Sequence, residues 1–200
     1  MSNRIVKGFR FYRANSGEPT PRHERCVVAS GYASAIHVGF PVKRLDDGTF
    51  NIAAAGEAIY GIVAGIDQFF DATDGRVKKP LGPDPKRLPA GTTYSGVDRA
   101  SVLTVIPVEG NLFEVDLDTA ISTPTRAGAV ALLGSNANHV ISGDDCALNR
   151  ANLEANDASP ASANWRTVGL VEDGANFAAA RLKYIVRCNT PQNQDGGVGL

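Results

Sequence analysis

Three histidines, His23, His37 and His139, are the side chains of this chain whose ordinary pKa suits proton transfer near neutrality. His139 has the most suggestive neighbours, with Ser135, Ser142, Asp144 and Asp145 supplying the residue types of a hydrolytic triad. A triad, however, assembles from distant segments and needs its nucleophile on a strained turn, and no Gly-x-Ser-x-Gly elbow occurs. His139 therefore reads as a loop histidine, and the chain as having no catalytic residues. Asp71, Thr73, Asp74 and Gly75 join carboxylates to a glycine turn, but the alternating oxygen ligands and closing Glu of a calcium loop are missing. A hairpin turn is expected there, and no metal. Glycine-rich loops that cradle phosphate are also missing, so no nucleotide and no other cofactor is expected. Cys26, Cys146 and Cys188 are odd in number and widely spaced, with no Cys-x-x-Cys pair. They read as small apolar core residues of a protein made in a reducing compartment.

Binding chemistry concentrates at the amino end. Residues 1–25 hold Arg4, Lys7, Arg10, Arg13, Arg22 and Arg25 against Glu18 and Glu24, a balance of +4, so the remainder of a chain of net charge −1 carries about −5. Phe9, Phe11 and Tyr12 interleave with Arg10 and Arg13. Such a combination can stack on bases and neutralise phosphates, or it can lay aromatic anchors on an acidic neighbour with arginines at the rim. Because nothing beyond residue 25 continues the positive field along the sequence, a protein partner is favoured and nucleic acid is not. A third account makes the arm the first strand of the body. The second binding candidate is the segment 79–91, where Pro80, Pro83, Pro85 and Pro89 exclude helix and inner strand and Lys86 and Arg87 supply charge. The partner-binding residues expected are thus Arg4, Lys7, Phe9, Arg10, Phe11, Tyr12, Arg13, Lys86 and Arg87.

The elements that must position these residues are strands. With 200 residues, 43% hydrophobic and only 20% charged, and with 21 glycines and 11 prolines, the composition is that of a turn-rich β protein with enough apolar mass for its own core. Period-two alternation is clearest at residues 112–118, where Phe113, Val115 and Leu117 are expected to face a core while Glu114, Asp116 and Asp118 face out. It recurs at 181–188, with Leu182, Tyr184, Val186 and Cys188 alternating with Arg181, Lys183, Ile185 and Arg187. The acidic and basic outer faces can pair within one chain or meet between subunits. Residues 101–108, SVLTVIPV, are apolar on both faces, and Pro107 suits an edge or a strand end. An edge strand of that kind needs a partner, which points to a homo-oligomer, a trimer by preference. One short helix is expected over 144–155. The resulting expectation is an all-β barrel or sandwich with long loops and at most one or two short helices. It divides into a basic arm (1–25), a β-rich domain (26–189) with its Pro-rich loop (79–91), and a flexible tail (190–200). No apolar run is long enough to span a membrane.

Two adjoining stretches carry a family likeness. AIYGIVAGIDQFFDATDGRVKK (58–79) sets two glycine-studded apolar runs before Asp74-Gly75 and a basic strand. GFPVKRLDDGTFNIAAAGEAIYGIVAG (39–65) combines a Pro-Val strand, an Asp-Asp-Gly turn and a Gly-Glu pair ahead of an aromatic. The layout resembles the β-rich decoration, or cement, proteins of tailed bacteriophages. That resemblance implies a non-enzymatic structural protein on the exterior of a virion, made in the host cytoplasm, with a major capsid protein and copies of itself as partners. The alternative is a receptor- or carbohydrate-binding β-domain of a head fibre or tail, for which Tyr32, Tyr60, Tyr94 and Trp165 are the available aromatics.

Overall fold

Valine, isoleucine and aromatic residues in short runs between glycine turns favour pleated, half-buried backbone, and the chain folds accordingly into an all-β, sandwich-like body. The computed structural model describes residues 8–14, 17, 20–30, 32, 35–71, 75–79, 87–88, 101–117, 120–142, 150–153, 163–171, 177 and 182–192. Among the described residues, the first sheet has the order β2 (Glu24–Val27), β9 (Val102–Pro107), β6 (Gly61–Asp71), β4 (Pro41–Arg44) and β5 (Phe50–Ile52). Every pairing in it is antiparallel. The long β6 also pairs antiparallel with β7 (Arg76–Lys78), the two arms of the hairpin expected around Asp74-Gly75; residues 72–74 lie outside the described residues. Just beyond β2, Val28 bridges Phe50 in parallel, and the N–H of Ala29 donates to the carbonyl of Phe50 at 2.8 Å. The last strand thereby meets the first, and the sheet closes into a small five-stranded barrel.

The second sheet has the order β1 (Arg10–Ala14), β10 (Asn111–Asp116), β15 (Lys183–Cys188), β14 (Trp165–Leu170) and β11 (Asn136–Ala137). It is antiparallel throughout. Two short ribbons complete the strands, β3 (Ile36–His37) with β8 (Arg87–Leu88) and β12 (His139–Ser142) with β13 (Arg150–Leu153). Two cores result. Inside the barrel, Cys26, Val28, Val42, Phe50, Tyr60, Val63, Ile66, Leu103 and Val105 pack together. Between the barrel and the second sheet, Phe40, Ile59, Ile62, Ile106 and Val108 meet Phe113, Val115, Leu117, Trp165, Leu182, Tyr184 and Val186.

Several expectations hold at residue level. Phe113, Val115 and Leu117 are buried, as are Leu182, Tyr184, Val186 and Cys188. One pair between the charged ladders forms within the chain, Lys183 Nζ lying 3.7 Å from Glu114 Oε1 across the β10–β15 boundary, while Asp118 and Arg181 lie outside the described residues. Others need correction. Asp116 was expected to face outward but is buried. Residues 102–107 do not form an edge: β9 is flanked by β2 and β6, Leu103 and Val105 face the barrel core, Ile106 faces the core against the second sheet, and Pro107 closes the strand at its end. The chain covers this strand by itself, which removes the reason it offered for an oligomer.

The helix expected over 144–155 is not formed at Arg150–Leu153, which is strand β13, held by β12; residues 144–149 and 154–155 lie outside the described residues. Pairing with the preceding strand β12 overrides a weak local preference. A helix does form at α1 (Arg126–Ala131), where Thr125 caps it by accepting from the N–H of Gly128 at 3.1 Å. The boundary expected at residue 25 falls inside β2, and residues 10–14 are a strand of the second sheet, which agrees with the account of the arm as a first strand. Residues 190–192, assigned to a flexible tail, instead bind the barrel. The N–H of Ile59 donates to Thr190 O, that of Gln192 donates to Ile59 O, and the Gln192 amide takes both backbone groups of Arg44.

Gly61 shows how tightly the shared wall is built. A Cβ at this position would lie 2.3 Å from Val105 Cγ1 and 2.6 Å from the Ile106 carbonyl oxygen, whereas at Gly65 the nearest atom would be 3.7 Å away. Gly61→Ala is expected to lower the unfolding free energy by about 1–3 kcal/mol through overpacking. Gly65→Ala is expected to stay within about 1 kcal/mol of the parent. Urea unfolding of the two variants checks this, and equal losses would contradict the packing described.

Candidate functional site

The chemistry-bearing side chains gather at the seam between barrel and second sheet. His139 opens β12 and is buried, with Nε2 2.8 Å from the Ala53 carbonyl and Nδ1 3.4 Å from the Trp165 indole nitrogen. An indole N–H only donates, so Nδ1 accepts, and Nε2 carries the proton given to Ala53. Both ring nitrogens are thus committed in the neutral tautomer. Phe9 stacks on Trp165 with centroids 4.3 Å apart, and Phe113 meets the same indole edge-to-face at 6.2 Å. Phe9 reaches this place because Gly8, at φ +79°, lets the backbone approach Gly39 closely enough for the Phe9 N–H to donate to its carbonyl at 2.9 Å.

Beside this aromatic cluster the turn at residues 54–57 is held by side chains. The N–H of Gly56 donates to Asn164 Oδ1 at 2.7 Å, and Asn164 Nδ2 donates to the carbonyl of Glu57 and to Thr190 Oγ1. Glu57 accepts from the Ala54 N–H at 2.7 Å and pairs with Lys43 at 2.5 Å. Burial works against its charge, but the hydrogen bonds from Lys43 and Ala54 and the Lys43 charge prevail, holding the carboxyl below its ordinary range. For His139, burial dominates and pushes the imidazole below its ordinary 6.5, against the Ala53 hydrogen bond and the Glu57 charge. An imidazole so enclosed stitches two layers together; it is a core histidine, not the loop histidine expected. Burial likewise pushes the Cys26 and Cys188 thiols up to about 12, leaving both protonated and inert, as their expected core role requires. Cys146 lies outside the described residues.

The residues expected to bind a partner fall into three groups. Arg4, Lys7 and Lys86 lie outside the described residues, and Arg87 is on β8 opposite His37. Phe9 is a core side chain at 3% exposure, and Phe11 is half-buried against Phe113, so neither aromatic stands free as an anchor. Arg10, Tyr12 and Arg13 are exposed together on β1, with the Arg13 guanidinium 5.7 Å from the Tyr12 ring centre. Of the other arm cations, Arg22 pairs with Glu24 and Arg25 with Asp67. The positive field does continue past residue 25, in space if not along the sequence: Arg187 and Arg166 are exposed on the same sheet as Arg13. Arg166 is absent from the residues expected to bind, and its signal is the alternation of Trp165 and Thr167 inward with Arg166 and Val168 outward. Of the aromatics available to a sugar site, Tyr32, Tyr60 and Trp165 are buried and Tyr94 lies outside the described residues.

Comparison with models of known protein families, with curated proteins and with solved structures finds no match.

The committed tautomer of His139 makes stability depend on pH. Its folded pKa lies below 6.5, so the unfolded chain takes up the proton first, and stability is lost as pH falls below 6.5 toward the folded value. Against His139→Gln, which keeps a donor for Ala53, the stability advantage of the parent should shrink below pH 6.5 by at most about 1.4 kcal/mol per pH unit. Denaturant unfolding at stepped pH measures this. A difference between the two proteins that does not change with pH would contradict the assignment.

Proposed function

We propose that this chain is a structural virion protein that binds the outer surface of a bacteriophage capsid and stabilises the shell, with a major capsid protein as its partner. The observation that carries the reading is how the chemistry-bearing side chains are used. His139, Asn164, Glu57 and Gln192 hold backbone groups of neighbouring strands, while the exposed functional groups of β1 are arginines and a tyrosine suited to contact. The stretches that carry the resemblance, 39–65 and 58–79, fold as β4, β5, β6 and β7, three of them barrel strands and the fourth a hairpin arm. Copies joined as a homo-oligomer, a trimer in the terms of that resemblance, would multiply a modest contact into firm attachment. The fibre or tail alternative loses support from the burial of Tyr32, Tyr60 and Trp165, since a sugar-binding surface stacks on exposed rings.

The test is co-sedimentation of the purified protein with capsid shells that lack it, followed by heating of the shells. Saturable binding and a raised temperature of shell disruption are expected. Removing residues 1–25 would delete β1 and half of β2 together, so the contact is better examined by substitution. Arg10→Gln/Arg13→Gln should bind more weakly at low salt, with the deficit shrinking as added salt screens the parent's charges, while keeping the parent unfolding curve. Absence of binding to the shells would refute the proposal.

A further inference from the structure

The register of the second sheet aligns residues that are far apart in sequence. Arg13 on β1 lies opposite Leu112 on β10, Leu112 opposite Arg187 on β15, Arg187 opposite Arg166 on β14, and Arg166 opposite Asn136 on β11. Directly opposed residues of antiparallel strands share a face, and here it is the face opposite Phe113, Trp165 and Val186; Leu112 in the middle of the row is itself buried, and the arginines on either side of it are exposed. Phe113, Trp165 and Val186, next along their strands, are buried, while Arg13, Arg166 and Arg187 are exposed. Arg10, also exposed, begins the next row opposite Glu114, whose carboxylate Lys183 already engages.

Two features make the row more than a solvated surface. Arg166 and Arg187 are directly opposed cations on hydrogen-bonded strands, an arrangement that destabilises a sheet. Among the described residues no carboxylate lies within ion-pairing distance of Arg10, Arg13, Arg166 or Arg187. From β1 to β14 the row crosses three strand spacings, about 14 Å. Val168, on the same strand and face as Arg166, adds an exposed apolar side chain at 43% exposure. Arginine forks bind carboxylates bidentately, and arginine beside apolar contact is characteristic of protein interfaces.

We infer that the outer face of the second sheet is a docking surface for an acidic segment of a partner protein, with one carboxylate bridging Arg166 and Arg187 and another engaging Arg13. Protein fits better than nucleic acid because the face itself includes Glu114 and the chain has a net charge of −1, so a long polyanion gains little by approach. This rests on reading the chain as a docking protein, but it names the surface and its chemistry without reference to a capsid.

The full-length protein is titrated with a fluorescent synthetic peptide of alternating Glu and Ser, and separately with a thymidine oligonucleotide of equal charge. The peptide should bind at low salt and be released by added salt. Arg166→Gln/Arg187→Gln should bind it at least about tenfold more weakly, while Arg76→Gln/Lys78→Gln on the barrel hairpin should bind it like the parent. The first double variant should also unfold at the same temperature as the parent or higher, since it removes a repulsive pair; a purely structural role for these arginines predicts a loss. Three results would overturn the inference: no peptide binding at low salt, equal binding by both double variants, or tighter binding of the oligonucleotide that the Arg166→Gln/Arg187→Gln change abolishes. Failure of the shell-binding test with peptide binding intact would refute the capsid reading alone.

Discussion

Where residues 61–63 of β6 meet residues 105–107 of β9, the shared wall is buried on both faces, and the rest of the molecule is arranged around that constraint. One face closes the barrel core through Val63, Ile66, Leu103 and Val105, and the other floors the sandwich core through Ile62 and Ile106. Strands with no solvent-facing side must carry apolar residues at successive positions and must satisfy every backbone donor and acceptor within the sheet. That requirement explains why β9 has a partner on each side, why Pro107 stands only at its end, and why Gly61 is confined between Val105 and the backbone of Ile106.

Two cores on one wall would slide if apolar contact alone joined them, because burial has little directional preference. Directional bonds supply the register. Asn164 fixes the turn at 54–57, His139 reaches across to Ala53, and Gln192 imitates a strand partner for Arg44. Each of these polar groups is satisfied, so its removal from water is offset, whereas cutting one bond would leave the other partner stranded at a cost of about 1–3 kcal/mol. The seam is therefore specified by polar groups and stabilised by Trp165, Phe9 and Phe113.

Much of this body was legible in the sequence, and the misses share a cause. Alternation at Phe113, Val115 and Leu117, and at Leu182, Tyr184, Val186 and Cys188, reports directly which side of a strand meets a core. The doubly apolar stretch 101–108 was legible as a buried strand, yet its place in the sheet was not, because a strand-end proline and an edge proline look alike along the chain. Asp116 follows the alternation but is buried nonetheless, and period two along one strand does not report burial on the outer face. The helix preference around 150–153 lost to pairing with β12. His139 and Asn164 could not be read as seam residues, their partners lying 86 and 108 positions away. Arg13, Arg166 and Arg187 become one row only through registers set by the core on the opposite face.

If the doubly buried wall organises the fold, barrel and second sheet should open together. Native-state amide hydrogen exchange measures this strand by strand. The account predicts that the amides of Ile62, Val63, Val105 and Ile106 exchange only through global unfolding, and that those of Val115, Tyr184 and Val186 in the second sheet share the same opening free energy. Exchange of the second sheet at a distinctly lower free energy, with β6 and β9 still protected, would contradict it and show two units resting on each other in place of one body built on a common wall.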